Sequence, residues 1–354
     1  MTTNGELILQ EGEFSVWRYS GILPEIAEFL SAVSWGTEGA VYEHKDIDEH
    51  IRFLNNPTLL VVRENGKIVG TVVFCNAVMR SGTARYNYYY VRYFAASREI
   101  RGKGIIKYYA SKVMELIRVG EKEPTIFIAC IESGNLASYK VVEKAGYELV
   151  GKMKTHGFSR FFPRSDERLE QVLSENGRKE VIALLEKYYE EHTLVNFNYV
   201  FLHDKYFVIR VKGEIVAGCQ AHRVHWVVNK MAGFAGKLIK NIAPYIPFIN
   251  RVFNPKRFEF LGFEGIYFKP GYEKELMKLF EAVLAREGLH SGMFWLGESS
   301  SISKSILGYN KLGLLHRFIK DSDAFILASY YDLNENEILE FKSRPLYASS
   351  FDLT

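Results

Sequence analysis

At 354 residues the chain is long for one domain and comfortable for two, and its 47% apolar and 25% charged content is that of an ordinary globular protein. A net charge of +3 singles out no class of partner, and Cys75, Cys130 and Cys219 stand at unrelated spacings that suggest neither a disulfide framework nor a zinc site. The start, MTTNGELILQEGE, is polar and acidic, unlike a signal peptide, and no apolar run reaches the ~18 residues of a spanning helix, so a cytosolic location is expected.

Residues 14–20 (FSVWRYS) predict a first strand. Pro24 opens a helix at its tolerated N-terminal position, with Ile26, Ala27, Phe29 and Leu30 on one face. A second helix is predicted from Asp46, with Glu49 as its capping-box partner, to about Asn55-Asn56-Pro57. Thr58 to Arg63 and Ile68 to Phe74 are β-branched runs on either side of Asn65-Gly66, a strong hairpin turn. Residues 85–96 form the next strand and run into Arg101-Gly102-Lys103-Gly104. An apolar-periodic helix follows at once, with Ile105, Ile106, Tyr109, Val113, Leu116 and Ile117 inward. This is the layout of a phosphate cradle. Glycines let backbone N–H groups point at an anion, the helix N-terminus adds partial positive charge, and the first turn holds no acid.

After a short apolar strand ending near Cys130 or Ile131, a helix begins near Asn135 and stops at Ala145-Gly146, where glycine suits the position just past a helix. A strand opens at Tyr147, and Phe158 to Phe162 reads as another after His156-Gly157. The second half repeats this plan. YFVIRVKGEIVAGC (from Tyr206) echoes TLLVVRENGKIVGT (from Thr58), Phe258–Phe268 reads as a strand, Glu273–Arg286 as a helix and Met293–Leu296 as a short strand. Lys311-Leu312-Gly313-Leu314 echoes Lys144-Ala145-Gly146-Tyr147, with two more strands expected around Asp321-Ser322-Asp323. Four echoes in order argue for a tandem duplication. The extra stretch, about residues 222–257, carries seven basic residues (Arg223, Lys230, Lys237, Lys240, Arg251, Lys256, Arg257) and no acid. Val227, Val228, Met231, Phe234, Ala235, Leu238, Ile239 and Ile242 fall at helical spacing, and a helix packed on its own domain with a solvated basic face is preferred over a membrane-touching one.

Two segments carry a family resemblance. The glycine loop lacks the G-x-x-x-x-G-K-[ST] of a Walker loop, and Lys107 stands where a dinucleotide fingerprint needs glycine or alanine. It fits R-x-x-G-x-[GA] through Arg101 and Gly104, departing at Ile106. The run N-x-x-S-x-K-x-x-E-K-A-G-Y from Asn135 completes the match. Together these resemble the acetyl-CoA loop and helix 4 of the GNAT superfamily of N-acetyltransferases. The resemblance implies an α/β (α+β) protein of two tandem GNAT folds, residues 1–162 and 163–354, each a mixed, mostly antiparallel central sheet flanked by helices. The acyl donor is then acetyl-CoA, with no metal, and the acceptor a small-molecule or peptide amine. Backbone near Phe94, Ala95 and Ala96 would hold the pantetheine and thioester, the amides of Arg101, Gly102, Lys103, Gly104 and Ile105 the pyrophosphate, and Asn135 and Ser138 the CoA arm.

Where many family members have a proton-donating tyrosine on helix 4, this chain has Val142, and Tyr139 one turn earlier is the substitute. Glu132 is the candidate base. Tyr88, Tyr90 or Arg92 on the central strand, and Glu38, Glu43 and His44 between the first helices, are further candidates for the acceptor wall. His222 and His225 are three apart on a possible helix without a third ligand, so no metal is expected. The second copy has Lys269-Pro270-Gly271-Tyr272-Glu273 in place of the glycine loop, and Glu273 and Glu275 would repel a pyrophosphate, so CoA binding is expected only in the first. Rival readings are a non-catalytic ligand-binding protein, and a peptidyltransferase-like or membrane-surface acyltransferase. No nucleic-acid partner is expected.

Overall fold

The computed structural model describes residues 5–36, 39–231, 233–319 and 322–354. In chain order the first half gives β1 (Glu6–Glu11), β2 (Phe14–Ser20), α1 (Pro24–Ser31), β3 (Trp35–Gly36), β4 (Ala40–His44), α2 (Ile47–His50), β5 (Pro57–Glu64), β6 (Lys67–Ser81) and β7 (Ala84–Ala96). Then come α3 (Ile105–Gly120), β8 (Thr125–Glu132), α4 (Leu136–Lys144), β9 (Glu148–Ser159), β10 (Leu169–Gln171), α5 (Glu175–Tyr188), β11 (Tyr206–Val211) and β12 (Glu214–Met231). The remainder gives α6 (Gly233–Ile242), α7 (Pro247–Val252), β13 (Phe258–Phe268), α8 (Glu273–Glu287), β14 (Ser291–Gly297), α9 (Ser301–Tyr309), α10 (Leu314–Ile319), β15 (Asp323–Tyr331), α11 (Glu335–Ser343) and α12 (Ser350–Leu353).

These elements form two compact units. The first holds residues up to Met79, Arg85–Val150 and, from far along the chain, Phe325–Lys342. Its strands lie in the order β1-β2-β5-β6-β7-β8-β15. β2, β5 and β6 are antiparallel neighbours, whereas β7 and β8 run parallel, as a strand–helix–strand crossover through α3 requires. Val16, Leu60, Phe74, Tyr109, Val113, Met114, Phe127, Val142 and Tyr147 close the core, and Leu327 of β15 is fully buried among them. Each such side chain contributes roughly 1.5–3 kcal/mol. The second unit holds Arg80–Ala84, Gly151–Ala324 and Ser343–Thr354, with strand order β9-β14-β13-β12-β11-β10. Its core is aromatic, with Phe263 stacked on Phe280 at 4.3 Å and Phe158 edge-on to Phe280.

Several expectations change. Residues 14–20 are the second strand rather than the first, because Glu6–Glu11 forms a strand that pairs with them. Asp46 starts α2 without a side-chain cap, and its carboxylate lies 3.8 Å from His50 instead. Phe158–Phe162 is no separate strand, since β9 runs unbroken from Glu148 to Ser159 through Gly157. There a Cβ would meet Leu315 and Ile319 side chains at 2.8 and 2.9 Å, so the glycine serves close packing rather than a turn. A helix, Leu314–Ile319, takes the place of the first strand expected near Asp321, which lies outside the described residues. The helix read through Val227, Val228 and Met231 is the end of β12. Helical structure begins at Gly233, and the side chains of Phe234 and Ala235 lie outside the described residues. His222 and His225 are therefore strand residues three apart, on opposite faces. His222 is buried, with Nδ1 3.2 Å from Gln220 Oε1 and Nε2 3.2 Å from Thr354 Oγ1.

Candidate active site

The site grows out of β7. Tyr86, Tyr88, Tyr90 and Arg92 are buried on one face of it, while Tyr89 and Val91 turn to the core on the other, Tyr89 stacking on Phe127 at 5.2 Å. This alternation breaks at Arg92–Tyr93, where both side chains are buried and Tyr93 takes φ +49°. A bulky residue with a left-handed backbone is costly and needs its surroundings to hold it. Thr71 Oγ1 donates to Tyr93 O at 3.0 Å, and the Tyr93 ring packs 6.0 Å from Trp35. The parallel ladder with β8 covers Asn87↔Thr125 to Val91↔Ala129 and stops there, although β7 continues to Ala96 and β8 to Glu132. Phe94, Ala95 and Ala96 thus lie on a strand end whose ladder with β8 has ended, where backbone N–H groups can meet a ligand.

The glycine loop follows directly. Gly102 and Gly104 adopt φ +80° and +77°, which glycine alone takes without cost, and a Cβ on either would stand in open space. Arg101 folds back to donate Nε–H to Ala96 O at 3.0 Å, and Lys103 N–H donates to Ile100 O. Among the described residues no carbonyl accepts from the amides of Arg101, Gly102 or Gly104. Gly104 is the N-cap of α3, so the amides of Ile105 and the rest of the first turn also point outward. Gly70 on β6 brings that helix end close, for a Cβ there would sit 2.6 Å from Ile106 Cδ1.

Helix α4 explains its own signature. Asn135 Oδ1 accepts from Ser138 N at 3.0 Å, an N-cap bond that joins the two residues assigned to the CoA arm. At the other end Tyr147 N–H donates to Val142 O and Gly146 N–H to Glu143 O, with Gly146 at φ +87°. This Schellman closure uses the E-K-A-G-Y run structurally. Val142 is buried in the core and carries no proton. Tyr139 is half-buried, its ring edge-on to Phe325 at 5.8 Å.

Past the end of the β7–β8 ladder lies a polar cluster. Tyr42 of β4 donates its hydroxyl to Glu132 Oε1 at 2.9 Å, and burial followed by the Glu132 charge pushes that phenol well above its ordinary range. His44 stands 5.5 Å from Tyr42 and 5.8 Å from Trp35. Burial, reinforced by the Arg92 charge, holds the His44 imidazolium down to about 3, so this side chain is neutral near pH 7 and is a poor proton carrier. Arg92 lies over the Tyr93 ring at 5.1 Å. Glu43 pairs with Lys45 at 2.6 Å, and Glu38 lies outside the described residues. The structure thus joins Glu132 and His44 through Tyr42, which the sequence did not single out. The left-handed Tyr93 has no sequence signal. Gly70 has one, a glycine inside a strand run.

The second unit repeats part of this geometry. β13 has its positive-φ residue at Gly265 (φ +54°), and its ladder with β14 covers only Leu261↔Gly292 and Gly262↔Met293, although β13 reaches Phe268 and β14 Gly297. The chain's own C-terminal segment touches both strands beyond that point. Glu264 Oε2 accepts from Ser349 Oγ at 2.9 Å and Phe351 N at 3.2 Å, and a Cβ on Gly297 would meet Leu346 O at 2.8 Å. Before α8, Gly271 N–H faces Glu273 Oε1 at 3.4 Å, Tyr272 N–H donates to Lys269 O, and Glu275 bonds Arg168 and Lys278. Where the first loop is open and basic, this one is closed by its own carboxylates.

Residues 27–147 match the acetyltransferase (GNAT) family. No curated protein matches by sequence. Among solved structures, N-myristoyltransferase of Saccharomyces cerevisiae, with bound myristoyl-CoA, is similar at 10% identity and a TM-score of 0.59 over 97% of this chain and 90% of that one. A GCN5-related N-acetyltransferase from Sphaerobacter thermophilus is similar at 11% identity and a TM-score of 0.53, over 97% of this chain and 99% of that one. Residues 27–147 belong to the GNAT acetyltransferase family, and the chain as a whole has the tandem GNAT fold of N-myristoyltransferase.

Proposed function

We propose that this protein transfers an acyl group, acetyl in the simplest case, from a CoA thioester to an amine of a small molecule or peptide. The observation that carries the reading is the run from Arg92 to Gly104. Within it the strand breaks its alternation and leaves its neighbour, and an open glycine loop then starts a helix. The amides of Arg101, Gly102, Gly104 and Ile105, with the charge of the Lys103 side chain beside them, take the pyrophosphate, and Asn135 and Ser138 the CoA arm. The backbone of Phe94 to Ala96 receives the thioester and polarises its carbonyl. The acceptor amine attacks that carbon, the C–S bond breaks, the amine proton leaves to Glu132, and the departing thiolate takes a proton from Tyr139. Tyr42, through its hydroxyl on Glu132, orients the base.

The test couples calorimetry to product detection. Acetyl-CoA is titrated into the protein, and CoA release is followed over a panel of amines. One site per chain with amine-dependent release supports the proposal; no heat from acetyl-CoA sinks it. Glu132→Gln is expected to lower turnover about a hundredfold while leaving acetyl-CoA affinity unchanged. Val142, in place of the family's tyrosine, favours a second reading as a non-catalytic acyl-CoA-binding protein, and binding without turnover on every amine would select it.

A further inference from the structure

The stretch between β12 and β13 is anchored by few residues. Ala243, Val252 and Phe253 are buried, and Ser291 Oγ donates to Val252 O at 2.5 Å. Among the described residues, several large apolar side chains of the stretch point to water instead. Tyr245 is 76% exposed, Phe248 55%, Leu238 47% and Ile242 41%. Phe162, 62% exposed, joins them with its ring 6.0 Å from that of Phe248. A folded chain rarely leaves so many neighbouring aromatic and aliphatic groups in water without a surface to cover them. The accompanying charge is of one sign. Residues 222–257 contain no acid. Arg251 lies 5.3 Å over the Phe162 ring and Lys256 5.7 Å from the Tyr245 ring. Arg223 and Arg257 have glutamate partners, but among the described residues no carboxylate lies within ion-pair distance of Lys237, Lys240, Arg251 or Lys256. Next to Phe161, whose ring is 6.4 Å from that of Phe248, opens a shallow hollow of about 520 Å³. Lys311, His316 and Arg317 line it together with Arg160, which is held by Glu281, and among the described residues no acid does.

We propose that this face of the second unit docks on an anionic lipid bilayer. Tyr245, Phe248 and Phe162 enter the headgroup boundary, the unpaired lysines and Arg251 meet lipid phosphates, and the hollow beside Phe161 takes a headgroup. The chemistry favours a bilayer over a nucleic acid because the cations are interleaved with aliphatic side chains that a phosphate backbone would leave in water. It favours a bilayer over a second copy of this chain because two such faces would bring like charges together.

The test is cosedimentation of the full chain with phosphatidylcholine vesicles, with and without phosphatidylglycerol. Binding is expected only with phosphatidylglycerol and is expected to weaken as salt rises. Phe162→Ser with Phe248→Ser, and separately Lys237→Glu with Lys240→Glu, should each reduce it about tenfold or more. Phe162, Phe248 and Lys237 are exposed and Lys240 is half-buried, so thermal unfolding should stay at the wild-type temperature in both variants. No binding to anionic vesicles overturns the proposal, as does binding that the aromatic variant leaves unchanged. Tighter binding to duplex RNA than to vesicles would identify a nucleic-acid surface instead, and a dimer in sedimentation that the aromatic variant dissolves would identify a self-association face.

Discussion

Gly104 shows how one residue serves fold and site together. It starts α3 at φ +77° and leaves its neighbourhood open to a ligand. Gly104→Glu adds backbone strain and a carboxylate beside the pyrophosphate amides. It is expected to weaken acetyl-CoA binding by about a hundredfold, equivalent to roughly 3 kcal/mol, in a calorimetric titration. Substitution of Pro270, in the closed second loop, should leave it unchanged, and equal loss from both would refute the asymmetry. Glu264 tests the second unit. Burial, then the Asp352 charge, pushes its carboxyl up to about 8 from an ordinary 4.5, against hydrogen bonds from Ser349 and the Phe351 and Ser350 amides. A raised carboxyl in the folded state means that the unfolded chain gives up its proton first, so this group's contribution is full below pH 4.5 and is lost as pH rises through about 8. The melting temperature of wild type should therefore fall, relative to Glu264→Gln, across that interval. Parallel curves would rule out a titrating Glu264.

Among the elements, the approach of α3 to β6 depends on Gly70. Gly70→Val would drive a side chain into Ile106 Cδ1 and push the start of α3 outward. A loss of roughly 1–3 kcal/mol in stability is expected from overpacking, together with weaker acetyl-CoA binding as the loop amides move. Unchanged affinity would show that the loop, and not the helix position, sets the site. How far elements could be read from sequence followed from how local their causes are. β13 and the start of α8 stand where the pattern put them, because Phe258–Phe268 is rich in aromatic and aliphatic residues, with Glu259 and Glu264 its only charged ones, and Glu273 opens a strong helix. β12 was misread because an 18-residue strand continuing past Trp226 places Val227, Val228 and Met231 at intervals a helix shares. The glycine loop was legible because φ > 0 selects glycine. Tyr93 was not, because tertiary contacts to Thr71 and Trp35 hold it there.

For the whole molecule, the telling fact is which segments complete which unit. Residues 325–342 belong to the first unit, where Leu327 is fully buried. A fragment of residues 1–162 lacks that strand and leaves part of its core in water. It is expected to melt without a cooperative transition by circular dichroism, whereas residues 1–150 joined by a flexible linker to residues 325–342 should melt cooperatively. A cooperative transition in the shorter fragment would show that β15 is dispensable.

That arrangement also sets a schedule during synthesis. On the ribosome the first unit has its N-terminal portion by Val150 but waits for Phe325–Lys342, nearly two hundred residues later. At the ~5–20 residues per second of translation this is a delay of roughly 10–40 s. Through that interval β8 has no β15 beside it, and the Leu327 position in the core is empty. The usual order, in which an N-terminal domain folds before the next emerges, cannot apply here. A pause or truncation anywhere before Phe325 yields a nascent chain with an open sheet edge, the form of this protein that most needs a chaperone.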